Sequence, residues 1–223
     1  MNRDKQNYLK YMLQVCRHKN LLKSGRTNEY INDIPSAQHK LPENFIRMCP
    51  WEAEYLFRVA ETAKHNVVEI GRMMGGSTML LAGATPNKIK SIDWATTRGA
   101  DEKLNKLRSY IKDFGLTNID LYIANSQTTN LSDGRFKYDV VFIDGDHSYE
   151  GVMADMENWW DNLEPGGHYV LHDCWAPRYE IGKAVCDFIA DKDIIMHVPV
   201  LESTGEAKHN QPFHIYSKKV SAN

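Results

Sequence analysis

The chain has 223 residues, a formal net charge of −2 and 42% hydrophobic residue types. That suffices for one domain with a sizeable core, and the near-balanced charge excludes a broad cationic footprint for duplex nucleic acid. No apolar run is long enough to cross a bilayer, the first residues lack the apolar stretch of a secretion signal, and Cys16, Cys49, Cys174 and Cys186 form no C-x-x-C pair, so a cytoplasmic protein with reduced thiols is expected.

Tyr8, Leu9, Met12, Leu13 and Val15 recur at near-helical spacing and predict an amphipathic helix over residues 8–23. Residues 25–42 are polar and rich in turn formers, which reads as a loop. Pro50-Trp51 marks a second helix start, with Leu56, Val59, Ala60 and Ala63 as its inward face. These pieces make residues 1–65 an N-terminal helical extension to a domain spanning 66–223. In that domain, short apolar runs at 67–70, 89–93, 119–124, 138–143 and 168–172 alternate with helical stretches at 77–84, 101–114, 148–163 and 180–191. The alternation predicts an α/β fold, a doubly wound and mostly parallel sheet with helices on both faces. Two further strands, 194–200 and 213–217, are separated only by the polar stretch 201–212 and are expected to pair antiparallel.

Ligands on such sheets bind at the carboxyl ends of the strands, near the switch in strand order. The first strand ends in Glu69-Ile70-Gly71 and continues through Gly75-Gly76-Ser77. Glycines there let the backbone turn tightly and a ligand approach, and the N–H groups opening the next helix face that ligand. An acid at the strand end suits a ligand rich in hydroxyl and amine donors better than a pyrophosphate. Met73 stands where a Gly-x-Gly-x-x-Gly fingerprint needs its second glycine, which argues against the alternative of a nicotinamide-dependent oxidoreductase.

After the second strand, Asp93 is placed to accept both hydroxyls of a ribose, and Trp94 offers a flat surface to a purine. Asn125-Ser126 follows the third strand, where a base edge would lie. The fourth ends in Asp144-Gly145-Asp146-His147-Ser148 and the fifth in His172-Asp173. Two carboxylates, Asp144 and Asp173, and two imidazoles, His147 and His172, are thus expected on neighbouring strand tips. Asp146 reads as the N-cap of the helix beginning near Ser148. Met153, Met156, Trp159 and Trp160 read as helix-on-sheet packing.

Taken in order, Glu69-x-Gly71-x-x-x-Gly75, Asp93, Asp144 and Leu163-Glu164-Pro165-Gly166-Gly167 resemble the successive motifs of class I S-adenosylmethionine-dependent methyltransferases. The run 142–151 with His172-Asp173 resembles the subgroup of sugar and macrolide O-methyltransferases and cephalosporin hydroxylase-like proteins. The resemblance implies a Rossmann-like seven-stranded sheet with an antiparallel last strand. It implies S-adenosylmethionine as cofactor, held by Glu69, Gly71, Gly75, Ser77, Asp93, Trp94, Ser126 and Asp144. In metal-dependent relatives, acids at the fourth and fifth strand tips hold a divalent ion. Here Asp144, His172 and Asp173 occupy those positions, and the imidazole weakens the case for magnesium while leaving manganese, another ion or none open.

The activity so implied is O-methylation of a small hydroxylated molecule, a sugar, macrolide or other metabolite. His147 is the expected general base, with Asp144 beside it at the reacting centre and Asp146 as an orienting partner. The acceptor pocket is expected from the N-terminal segment, with Arg47 and Trp51, and from the loop 201–212. The expected partner is that small acceptor, with neither nucleic acid nor membrane, while a homo-oligomer is left open. A methyltransferase-like fold kept as a non-catalytic binding module is the rival of a different class.

Overall fold

The structure is a computed structural model that describes residues 3–16, 41–94, 99–129, 131, 137–174, 179–197 and 214–218. Seven strands, β1 (Asn66–Ile70), β2 (Ile89–Asp93), β3 (Ile119–Ile123), β4 (Tyr138–Ile143), β5 (Leu163–Leu171), β6 (Ile194–His197) and β7 (His214–Lys218), lie in the order β3-β2-β1-β4-β5-β7-β6. β4 runs parallel to both β1 and β5, whereas β7 is antiparallel to both β5 and β6. The fold is α/β and Rossmann-like. Strand order reverses between β1 and β4, since β2 and β3 lie outside β1 on one side and β5 lies beyond β4 on the other.

The chain divides into two compact units. One comprises residues 63–71, 90–94 and 121–223, and so holds most of the sheet with α5 (Tyr149–Trp160) and α6 (Ile181–Ile189). Its core joins Val68, Ile70, Val141 and Ile143 of the sheet to Met156 and Trp159 of α5 and Val185 and Phe188 of α6. α5 begins where the Ser148 hydroxyl accepts from the Gly151 N–H at 3.1 Å. Ser148 is therefore the N-cap, not Asp146. The Asp146 carboxylate sits two residues earlier and accepts the Ser148 N–H at 2.9 Å.

The other unit comprises residues 1–62, 72–89 and 95–120 and carries α1 (Arg3–Gln14), α2 (Pro50–Glu61), α3 (Gly76–Ala84) and α4 (Ala100–Asp113). α2 opens on Pro50, with the Glu52 carboxylate accepting the Cys49 N–H at 2.6 Å. The Tyr8 phenol of α1 donates to the Met79 carbonyl of α3 at 2.5 Å. The Asn118 amide donates to the carbonyls of Ala82, Thr85 and Asn87 at 2.8 to 3.1 Å, which closes the end of α3.

Several boundaries differ from the sequence reading. α1 starts at Arg3 instead of residue 8, and residues 17–23 of the expected helix lie outside the described set, as do most of the loop 25–42 and all of 201–212. α5 stops at Trp160 because Leu163 already pairs with Tyr138. The Leu-Glu-Pro-Gly-Gly motif is absorbed into β5 through a register irregularity, with Gly166 at φ 82° taking the bend.

Gly71 has φ 86°, and a Cβ there would run into the Asp144 carbonyl and the Gly145 Cα. Gly99, at φ 79°, faces open space. Gly99→Ala should therefore cost only the conformational strain, about 1 kcal/mol, and Gly71→Ala clearly more. Urea unfolding of the two variants checks this, and equal losses would contradict the packing described.

Candidate active site

Backbone hydrogen bonds continue past the strand ends and lock neighbouring tips together. The Ala124 N–H donates to the Asp93 carbonyl at 3.2 Å, Gly71 to Ile92 at 2.9 Å, Asp144 to Ile70 at 2.8 Å and His172 to Ile143 at 3.0 Å. Ala124, Gly71, Asp144 and His172 are thus fixed by sheet geometry at the strand ends. Asp173 then takes φ 55°, a left-handed conformation that aspartate tolerates better than most residues and that often marks a functional turn.

This turn brings four titratable groups together. His172 Nδ1 lies 3.2 Å from Asp144 Oδ1 and 3.6 Å from Asp173 Oδ2. His147 Nε2 lies 3.5 Å from Asp144 Oδ1 and 3.6 Å from Asp173 Oδ2, ion-pair distances at which no full hydrogen bond forms. Burial pushes the Asp144 carboxyl up, but the facing His172 and His147 outweigh it and hold the group at about 2. Burial likewise raises Asp173, and the same two imidazoles bring it below the ordinary carboxylate range. Asp144 and then Asp173 raise His147 to about 9. The Tyr179 ring lies against the His147 imidazole, with centroids 4.3 Å apart and an interplanar angle of 31°.

Two consequences follow for the expected roles. With Asp144 and Asp173 facing it, His147 is held as an imidazolium at neutral pH and has no lone pair with which to act as a base until its proton is displaced. Asp144, His147 and Asp173 each offer a ligand atom, all within 4.8 Å of one another. His147 is thus a candidate ligand beside the two acids, and His172, which the sequence reading placed there, stands next to Asp144 with its imidazole buried. The His147 Nε2 atom is buried without a hydrogen-bond partner. Two carboxylate oxygens and an imidazole nitrogen fit a divalent ion of borderline hardness.

Residues 68–174 match a family described as a methyltransferase domain. An uncharacterised protein, R132, of Acanthamoeba polyphaga mimivirus is 30% identical over 165 residues, which are 66% of this chain and 73% of that protein. The chain carries a methyltransferase domain. Among solved structures, the O-methyltransferase NovP aligns with a TM-score of 0.64 at 14% identity, covering 97% of this chain and 100% of NovP. The Podospora anserina methyltransferase PaMTH1, bound to S-adenosylhomocysteine, aligns with a TM-score of 0.59 at 14% identity over 99% of this chain and 97% of its own. At such identities the likeness is one of fold. S-adenosylmethionine is the cofactor of the family, and no helix among the described residues is long and apolar enough to cross a membrane.

The positions assigned to the methyltransferase cofactor are distributed as follows. Asp93 ends β2, half-buried, and Trp94 beside it is 58% exposed. Ser126 is half-buried after β3, its carbonyl held from α5 by Asn158 and Trp159. Glu69 differs from the expectation of a ligand-facing acid. It is fully buried within β1, and the Ser91 hydroxyl of β2 donates to it at 2.5 Å. Alternate positive φ values at Gly71, Met73 and Gly75 coil the loop after β1. Gly75 caps α3 without a side-chain hydrogen bond, and Ser77 lies buried in the first turn.

Sequence reasoning missed three features of this methyltransferase: the grouping of His147 with Asp144 and Asp173 as candidate ligands, the stacking of Tyr179 and the buried Asp155 of α5. The last was detectable, because Asp155 falls on the apolar stripe that contains Val152, Met156 and Trp159.

The pH dependence of stability tests the cluster. His147 titrates higher in the folded chain than its ordinary 6.5, so its ion pairs contribute fully below about pH 6.5 and are lost as pH rises through about 9. Chelator-treated wild type should lose melting temperature between about pH 7 and about pH 10, and His147→Gln should lack that part of the slope. Parallel profiles would show that the pairs do not form.

Proposed function

We propose that this methyltransferase transfers the methyl group to a hydroxyl of a small polar acceptor, a sugar, macrolide or comparable metabolite. The observation that carries the reading is the Asp144–His147–Asp173 cluster at the tips of β4 and β5. Carboxylates and imidazoles grouped in this way orient hydroxyl donors and receive a proton. The name of NovP as an O-methyltransferase agrees with this, and the net charge of −2 is unfavourable for a polyanionic substrate.

S-adenosylmethionine supplies a methyl group on a sulfonium, open to in-line displacement. On this reading Asp93 accepts the ribose hydroxyls, Trp94 covers a purine face and Ser126 meets the base edge. Gly71 and Gly75 let the backbone approach, Ser77 opens the helix at the glycine loop, and Glu69 acts from within by bracing β1 against β2. Residues 1–65 serve as the helical extension that shapes the acceptor side, with 66–223 as the cofactor-binding domain in its seven-stranded form. Holding acceptor and methyl donor in line is worth roughly 7–11 kcal/mol of barrier lowering.

Asp144, His147 and Asp173 would hold a divalent ion, with His172 orienting Asp144. Such an ion would supply Lewis acidity to an acceptor oxygen. The same carboxylates keep His147 protonated when no such ion is bound, and a ring nitrogen that held the ion would have no lone pair left for a proton, so His147 would serve as base only where it is not a ligand.

Four measurements test the proposal. Adenosylhomocysteine release should appear with hydroxylated sugars or phenols, and silence across such a panel would leave the non-catalytic binding module as the better account. Asp93→Ala should weaken cofactor binding roughly 10- to 100-fold, as expected for lost hydrogen bonds to a charged acceptor. His147→Ala should lower turnover by about 10²–10⁴-fold at nearly unchanged cofactor affinity. Full activity after chelation, unaltered by any added divalent ion, would remove the metal from the scheme.

A further inference from the structure

His147 stands three residues beyond Asp144, and its ring needs a fixed rotation if Nε2 is to meet both acids. The terminal torsion of histidine has broad wells and does not supply this by itself. The acids do not supply it either, because Asp144 and Asp173 stand 3.5 and 3.6 Å from Nε2, beyond full hydrogen-bond distance. Asp146, the orienting partner expected from the sequence, is engaged at the start of α5 instead. Its Oδ1 accepts the Ser148 N–H at 2.9 Å, and a Cβ on Gly151 would run into its carboxyl group.

The group that lies flat against the imidazole comes from the approach to α6. The Tyr179 ring covers it, with centroids 4.3 Å apart and planes 31° from parallel. Tyr179 is itself half-buried and packs against the core shared by the sheet, α5 and α6. The backbone beside it is fixed at two points. The Glu180 N–H donates to the His147 carbonyl at 3.4 Å, and a Cβ on Gly182 would sit 2.7 Å from the Cys174 carbonyl oxygen, an approach that only glycine permits. The first turn of α6 thus touches the residues that follow both β4 and β5. Farther along, α6 buries Ile181, Ala184, Val185 and Phe188, and its Asp187 carboxylate accepts the Tyr149 phenol of α5 at 2.9 Å. Tyr179 is therefore presented to His147 from a well-anchored element.

We propose that Tyr179 is a positioning residue, whose ring fixes the rotation of the His147 imidazole and so keeps Nε2 facing Asp144 and Asp173. This rests on the reading, given above, of that cluster as the reacting centre. It adds α6 to the centre, which the strand-tip motifs do not include. A nitrogen oriented before it is used, as ligand or as base, loses less entropy at the step itself.

The test sets Tyr179→Phe, which keeps the flat ring, beside Tyr179→Met, which keeps apolar cover without it. Crystal structures of the chelator-treated protein should show His147 against both acids in wild type and in Tyr179→Phe, and rotated away from them in Tyr179→Met. Titration with cobalt(II), followed by its visible absorption, should give Tyr179→Phe an affinity close to that of wild type. Tyr179→Met should bind the ion roughly 10- to 100-fold more weakly. In a His147→Gln background the Tyr179→Met change should cost no further affinity, as expected for two residues acting as a unit. An unmoved imidazole in Tyr179→Met, or an equal loss of cobalt affinity with His147 replaced, would assign Tyr179 to fold support alone and overturn the proposal. If Tyr179→Met does not fold, Tyr179→Leu takes its place with the same two outcomes. Wild type that binds no cobalt would instead reject the metal reading of the cluster, and the placement of the imidazole in the variants then decides the proposal alone.

Discussion

Two parallel strands, β1 and β4, lie side by side where the sheet changes its winding direction, and their ends must approach without a side chain between them. The Gly71 backbone meets the Asp144 carbonyl at a separation no Cβ would permit, and the Asp144 N–H in turn donates to Ile70. The contact does more than close a turn. It fixes the height at which Asp144 leaves the sheet, and the reach of His147, three residues on, follows from it. Parallel sheets place their catalytic groups at this kind of junction because both neighbouring loops lead away from it, leaving backbone groups and a few side chains facing outward.

Electrostatics then determines what those side chains can do. Two carboxylates within reach of one another would repel, and each imidazole relieves that repulsion by carrying a positive charge. The arrangement is self-neutralising, and for that reason His147 is a poor proton acceptor in isolation. An ion of charge +2 among the same acids and His147 would substitute for the proton on that ring. Affinity for such an ion and acid–base behaviour would thus be two aspects of one cluster, and neither would belong to a single residue.

Much of this was legible in the sequence. Apolar runs such as Tyr138–Ile143 admit little but a buried strand, and the acids that follow them are conspicuous because nothing in the strand needs them. The resemblance located the glycine loop and Asp93 because these lie at fixed offsets from strand ends. What was obscured depends on backbone details that residue types do not encode. Asp173 takes φ 55°, and with that torsion its carboxylate comes within 3.6 Å of both histidines. Glu69 looked like a ligand-facing acid because Gly71 follows closely, but the side-chain alternation of β1 turns it inward to Ser91. The start of β5 was misplaced because Pro-Gly-Gly usually ends a pairing, and here a bulge carries the ladder through it.

The exposure of Trp94, at 58%, contrasts with Trp159 at 2% and Trp160 at 9%. Indoles in water emit at longer wavelength and are quenched by small ions, whereas those packed under a helix are shielded from both. The chain thus carries a solvent-facing chromophore at the tip of β2 alongside shielded ones in its core. Iodide quenching would report occupancy of that surface separately from the integrity of the core, without attaching any label.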